Sequence, residues 1–246
     1  MKTIVTISAA VAFTLAASPP SSAKTANVSA NGGKTVSMTV TGHNNTANVI
    51  VTNNNNTVTV TENGRINNAN ITVDGNNNTV DVTERGRVNK ANITVDGSND
   101  TVDVTQIGRI NNISAAVFGH NDAIGGLQFG GKNSFNGVAY GEDNLVEVGQ
   151  FGWGSNFARV VEIGHWRFDA FNAAVIDQIG KFNVAIVTQL NSQLQVAFVN
   201  QLGRVDVAIV TQVDDPPAAA NAVAAVFTQN SWRPCYFNNA SGWCNR

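Results

Sequence analysis

Glycine recurs every eleven residues through the middle of the chain, at Gly64, Gly75, Gly86, Gly97, Gly108, Gly119, Gly130, Gly141 and Gly152. Extended backwards, the series reaches Asn53 and Gly42. Gly and Asn tolerate a left-handed backbone at a tight turn, so the spacing predicts one turn per eleven residues. Three residues after each turn position stands a short amide or acid: Asn45, Asn56, Asn67, Asn78, Asn89, Asp100, Asn111, Asp122, Asn133 and Asn144. After small insertions the pattern returns at Asn156, Asn172, Asn183 and Asp206, with Gly180 and Gly203 as further turn residues. A repeat this short governs the whole architecture, because no single unit can bury a core by itself.

Between the turns, polarity alternates with a period of two, the signature of a strand. Asn78, Val80, Val82 and Glu84 share one face against Thr79, Asp81 and Thr83; in the next arm Asn89, Ala91, Ile93 and Val95 oppose Lys90, Asn92 and Thr94. The Asn-apolar-apolar face is assigned to the interior. A longer period of 22 is superimposed, because Gly64-Arg65-Ile66-Asn67 returns as Gly86-Arg87-Val88-Asn89 and Gly108-Arg109-Ile110-Asn111 with a different turn between each. The fold expected is therefore all-β: a β-solenoid whose two-strand rungs of about 22 residues each contain two eleven-residue arms. Residues 34–229 form that solenoid, with room for roughly eight or nine rungs spaced about 4.8 Å apart. An inward Asn is a costly buried group unless it is bonded. Stacking on the same residue of the next rung predicts an amide ladder along the axis.

The ends read differently. Lys2, the apolar stretch from Ile4 to Ala17 and the small residues Ser21, Ser22 and Ala23 make residues 1–23 a secretory signal peptide, with Lys24 first in the mature chain. Residues 24–33 follow as a polar segment, and residues 230–246 as a short C-terminal cap. No later segment is apolar for the 18 or so residues of a membrane span. A net charge of −2, with 13% charged residues, gives no general attraction for nucleic acid. In an oxidising compartment Cys235 and Cys244 close a small terminal disulfide loop; free thiols or an intermolecular bond are the other outcomes.

Two residues before the turns, the C-terminal half carries Gln106, Gln128, Gln150, Gln178, Gln189, Gln201 and Gln212, where the N-terminal half has Glu62, Val73, Glu84 and Val95. The string Gln178-Ile179-Gly180-Lys181-Phe182-Asn183-Val184-Ala185-Ile186-Val187-Thr188-Gln189 resembles the repeat of the curlins, the amyloid subunits of bacterial curli fibres. Degenerate copies run through Gln201, Gly203, Asp206, Ala208 and Gln212, and through Gln150, Gly152, Asn156, Ala158 and Glu162 with one inserted residue. The resemblance extends from about Gln106 to Gln212 and is weaker before it. It implies a secreted fimbrial or biofilm-matrix protein that polymerises with itself or other curlin-type subunits by end-to-end stacking of rungs, and no catalytic chemistry. It also implies a short export-targeting segment, for which Thr25–Gly33 is the candidate.

Other features point elsewhere. The outward face is polar early (Thr57, Thr59, Thr61; Thr79, Asp81, Thr83; Thr101, Asp103, Thr105) and apolar late (Val184, Ile186, Val196, Phe198, Val207, Ile209). Either the segment Ser231–Arg246 folds over the apolar part, or that part is a lateral contact. The Thr rows suggest ice binding, against which Asp81 and Asp103 interrupt them. A capped monomeric adhesin or ice binder is thus the second expectation, favoured by Pro216-Pro217 and the cysteine loop. Arg65, Arg87 and Arg109 fall one rung apart, which makes an anionic cell-surface or matrix polysaccharide a possible partner. Glu62, Glu84 and Glu162 are inward, expected at the rung edge within reach of water and separated by intervening rungs. His43, His120 and His165 are scattered turn residues. Neither metal nor cofactor is expected, nor an enzyme.

Overall fold

An arm that alternates Val or Ala with Thr or Asp has one face that must be covered, and a neighbouring arm of the same chain covers it. The computed structural model describes residues 4–7, 11–15, 24–31, 34–164, 171–190, 194–213, 222–229, 235–238 and 241–243, and these form a β-solenoid. Successive strands alternate between two sheets, of twelve and ten strands. Within each sheet neighbours are parallel and in register: Thr79–Arg87 pairs residue for residue with Thr101–Arg109, and that strand with Ala123–Gly131. The offset of 22 residues is the rung predicted from the sequence. Parallel pairing at this spacing needs both faces managed; here the inner faces of the two sheets meet in a narrow core of Val, Ala and Ile.

The core is one continuous cluster from Ala26 to Val226. Its large exception is Phe135, which is 1% exposed. Room for the ring comes from two glycines: a Cβ on Gly137 would lie 2.6 Å from Phe135 Cζ, and one on Gly126 would lie 3.1 Å from Cδ1. Volume is thus conserved locally, as a close-packed interior requires. The insertions are absorbed at corners, since Gln150 still stands opposite Gln178 and Asn172 opposite Gln195.

The repeat glycines take the positive φ expected of them, Gly97 excepted, and they have a second task as well. Strands such as Thr79–Arg87 run through the glycine, and a second positive-φ residue, Val88, follows two positions later at the corner. Glycine is needed because rungs touch there. A Cβ on Gly86 would stand 2.1 Å from the Gly108 carbonyl oxygen, and one on Gly180 1.8 Å from that of Gly203. Gly86 and Gly180 also have φ of 133° and 135°, which disfavours any side chain.

At both ends the strands extend beyond the expected limits. Lys24–Ala30, within the segment expected to be merely polar, pairs with Asn45–Val51, and Ala26, Val28 and Ala30 are buried. Its period-two pattern is intact; only a repeat glycine is missing. Ile4–Ile7 and Val11–Leu15, inside the predicted signal peptide, are strands on the next rung. At the other end Cys235–Asn238 continues the larger sheet against Ala208–Thr211 instead of folding over the outward apolar face, and Ser241–Trp243 turns back antiparallel on it. Cys244, and with it the expected disulfide, lies outside the described residues, as does His165. None of the described residues forms a helix long and apolar enough to cross a membrane.

Candidate functional site

The polar interior is the feature that sets this fold apart from an ordinary apolar core, and it consists of columns running along the solenoid axis. Asn67, Asn89, Asn111, Asn133, Asn156 and Asn183 stand in one corner and Asn78, Asn144 and Asn172 in the other, all buried. Asp100 and Asp122 belong to the second corner. Their bonding corrects the simple ladder expected. The Asn78 side-chain oxygen accepts the Asp100 backbone N–H at 2.9 Å, and its Nδ2 donates to the Gly97 carbonyl at 3.0 Å. Asn56 does the same with the Asn78 N–H at 2.9 Å and the Gly75 carbonyl at 2.7 Å, and also reaches back to the Thr52 carbonyl at 2.8 Å. Each Asn therefore caps the corner backbone of two rungs. Direct side-chain pairs join Asn156 to Asn133 at 3.3 Å and Asn172 to Asn144 at 3.1 Å, where the rung is lengthened, and Asn144 to Asp122 at 2.9 Å across a rung of ordinary length. Asn67 and Asn89 are exceptions, buried with neither amide atom bonded.

The amide ladder proper is made by glutamine. Gln128, Gln150, Gln178 and Gln201 pass Nε2 to Oε1 along the smaller sheet at 2.7, 2.7 and 2.6 Å. The same Nε2 atoms donate across the core to carbonyls of the facing sheet: Asn112, Ser134, Phe157 and Val184 at 3.2, 3.1, 3.1 and 2.9 Å. The column thus staples rung to rung and sheet to sheet. Gln106 begins it. Gln189 and Gln212 form a second column in the larger sheet, bonded at 2.8 Å. The sequence presents the glutamines as one series; they are two, because alternate arms lie in alternate sheets. A third ladder faces outward, Asn27 to Asn48 to Asn70 to Asn92 at 2.6, 2.8 and 3.2 Å, and only the 22-residue spacing of Asn48, Asn70 and Asn92 signals it.

Carboxylates continue the glutamine columns. Glu62 and Glu84 are fully buried direct neighbours in register, below Gln106. They are neither separated by a rung nor within reach of water, as the sequence suggested; a separation of 22 residues is one rung. Burial, then the charge of Glu84, pushes Glu62 up to about 9, against the Ala69 N–H bond. Burial pushes Glu84 up to about 7, against bonds from the Asn68 and Ala91 N–H groups. The Gln106 amide lies 2.9 Å from Glu84 Oε1 at one end and 2.8 Å from Gln128 Oε1 at the other. An amide has one NH2 end, so it donates to only one of these; a protonated Glu84 donating to the amide oxygen satisfies both. Glu162, which heads the Gln189–Gln212 column, is raised well above the usual range by burial and then by Asp122. Burial also raises Asp100 to about 6 and Asp122 to about 7.

The corners themselves are unequal. One carries Asn77, Asn99, Asn121 and Asp143 in left-handed conformation, the residues that tolerate it. The other carries Ile66, Val88, Ile110 and Val205 at φ of 62–64°, a strained position for β-branched side chains. Arg65, Arg87 and Arg109 stack beside them, as the sequence predicted.

Comparison with protein-family models, with curated proteins and with solved structures gave no match for this chain. Among the described residues no group of three or more His, Cys, Asp or Glu side chains is placed to hold a metal.

Proposed function

We propose that this protein is a structural subunit or nucleating component of a curli-like extracellular fibre, secreted to the cell surface to contribute to biofilm matrix and adhesion. The observation that carries the reading is the way the smaller sheet ends. Ala222–Gln229 pairs with Leu194–Arg204 on one side and is the terminal strand of that sheet among the described residues. Its free edge keeps the parallel register of the rungs below, so a second copy can add there as a further rung. The in-register backbone ladders support this, because they continue past the end of the glutamine column, where Gln201 stands opposite Thr228 of the edge strand. Removal of residues 1–23 would expose Lys24–Ala30 and Lys34–His43 as the complementary edge.

A capped monomer is the second reading, and the antiparallel return of Ser241–Trp243 at the end of the larger sheet favours it. Its outward face would then act alone as an adhesive or ice-ordering surface. Purified chain lacking residues 1–23, with and without Cys235→Ser, separates the readings. The fibre reading expects seeded growth of fibres with reflections near 4.8 and 10 Å. A species that stays monomeric at high concentration in both forms would rule it out.

A further inference from the structure

The basic corner carries a cation on six of its seven segments between residues 63 and 205, and the remaining segment, 151–155, carries Trp153. Arg65, Arg87 and Arg109 stack in register, Lys132 bonds through its backbone to the Arg109 carbonyl, and Lys181 pairs with Arg204. All six side chains are exposed, and no Asp or Glu occurs in the corner segments 63–66, 85–88, 107–110, 129–132, 151–155, 179–182 and 202–205. Acidic groups instead mark the opposite corner, at Asp74, Asp96, Glu142 and Asp143. A chain of net charge −2 thus presents one positive edge and one negative edge.

Aromatic groups join the positive edge where the repeat is interrupted. Trp153 is 77% exposed and Phe182 52% exposed. Together with Arg109, Lys132 and Ser155 they line an open hollow of about 400 Å³. Strain along the same edge, at Ile66, Val88, Ile110 and Val205, has no role in holding the core, since these side chains point into solvent. Cations spaced by one rung, about 4.8 Å apart on a straight line, match an extended chain with one charge per unit. A nucleic-acid duplex curves away from such a line, and its phosphates are spaced at about 3.4 Å per strand. Flat aromatic faces beside cations suit pyranose rings bearing carboxylates.

We propose that this edge binds a linear acidic polysaccharide, whose carboxylates pair with the Arg and Lys row while one sugar ring sits in the hollow between Trp153 and Phe182. The binding surface lies along the side of the solenoid and leaves its ends free, so it is independent of whether the protein polymerises. The test uses the purified full chain, held below any concentration at which it associates, with polygalacturonate as probe. Neutral dextran, oligothymidylate and buffer alone are the other arms, and circular dichroism verifies folding of each variant. Binding to polygalacturonate should weaken steeply between low and physiological salt. The double variant Arg87→Gln/Arg109→Gln should lose at least about tenfold in affinity and flatten that salt dependence, whereas Trp153→Ala should lose roughly fivefold with the salt dependence kept. The proposal is overturned if both variants bind as the parent does, if dextran competes equally, or if oligothymidylate binds more tightly than polygalacturonate. It is also overturned if the Arg variants abolish self-association while polygalacturonate binding is unchanged, for the edge would then dock on the acidic corner of a second copy.

Discussion

One interior line of the smaller sheet is built from two chemistries. From Gln106 to Gln201 it is a run of amides that donate and accept in turn. Below Gln106 the same positions hold Glu84 and Glu62, buried just as completely. The backbone does not distinguish them: Glu62 pairs with Glu84, Glu84 with Gln106 and Gln106 with Gln128 in one register. What differs is the condition under which each part is satisfied. Glutamine bonds at any pH, whereas a buried carboxyl bonds in this line only while protonated. The outward surfaces diverge in parallel, with Thr57, Thr79 and Thr101 aligned in the first half and Val184 and Val207 in the second. A solenoid allows this, since each rung depends mainly on its neighbours.

The largest expected effect tests what the halves share. Gly86→Ala and Gly180→Ala should each cost about 3–5 kcal/mol in chemical denaturation, since both force a Cβ into a carbonyl one rung away. A large effect at one and none at the other would show that stacking is tight in one half only. Next comes the contrast itself. Gln150→Leu should destabilise by about 2–4 kcal/mol, leaving the amides of Gln128 and Gln178 without their shared partner. The double change Glu62→Gln/Glu84→Gln should have the opposite sign at pH 8, stabilising by about 2–3 kcal/mol as the amide column lengthens. Equal signs would dissolve the distinction.

The pH dependence follows from the same groups. Their folded-state values lie above those of an unfolded carboxyl, so the folded chain binds protons more tightly. The stability they contribute is present in full below about pH 4 and is lost as pH rises through about 6 to 9. Thermal midpoints should therefore fall from pH 5 to pH 9, and the Glu-to-Gln double variant should flatten that fall. The smallest expected effect is at the strained corner: Val88→Asn should stabilise by about 1 kcal/mol, read as a shift in denaturation midpoint, by placing a residue that accepts φ of 64°.

The rung was legible because its causes are periodic. A contact repeated between rungs demands the same residue at the same spacing, so Gly86, Gly108 and Gly130 announce the stack. The inward positions of Asn78 and Gln128 follow from strand alternation alone. The role of each residue was less visible, because it depends on what lies one rung away and not on chain neighbours. Gly86 reads as the turn residue and does take a positive φ, but a second positive φ falls on Val88, a residue type that no propensity argument would choose. The bonds of Asn78 to backbone rather than to another amide need the corner geometry. Lys24–Ala30 was passed over because an intact alternation without its glycine gives only half the signal. The hollow beside Trp153 arises where insertions break the period, and there a periodic reading has nothing to compare.

Hydrogen exchange resolved along the chain as pH is raised tests the two-part interior most directly. Four buried carboxyls with raised values lie between Glu62 and Asp122; beyond them burial raises only Glu162 and the half-buried Asp177 among the described residues. After correction for the intrinsic rate, strand amides of residues 56–122 should lose protection between pH 6 and 9, while those of residues 194–204, a strand without a carboxyl side chain, keep theirs. Uniform loss along the solenoid, or protection that rises with pH in the first half, would contradict the account.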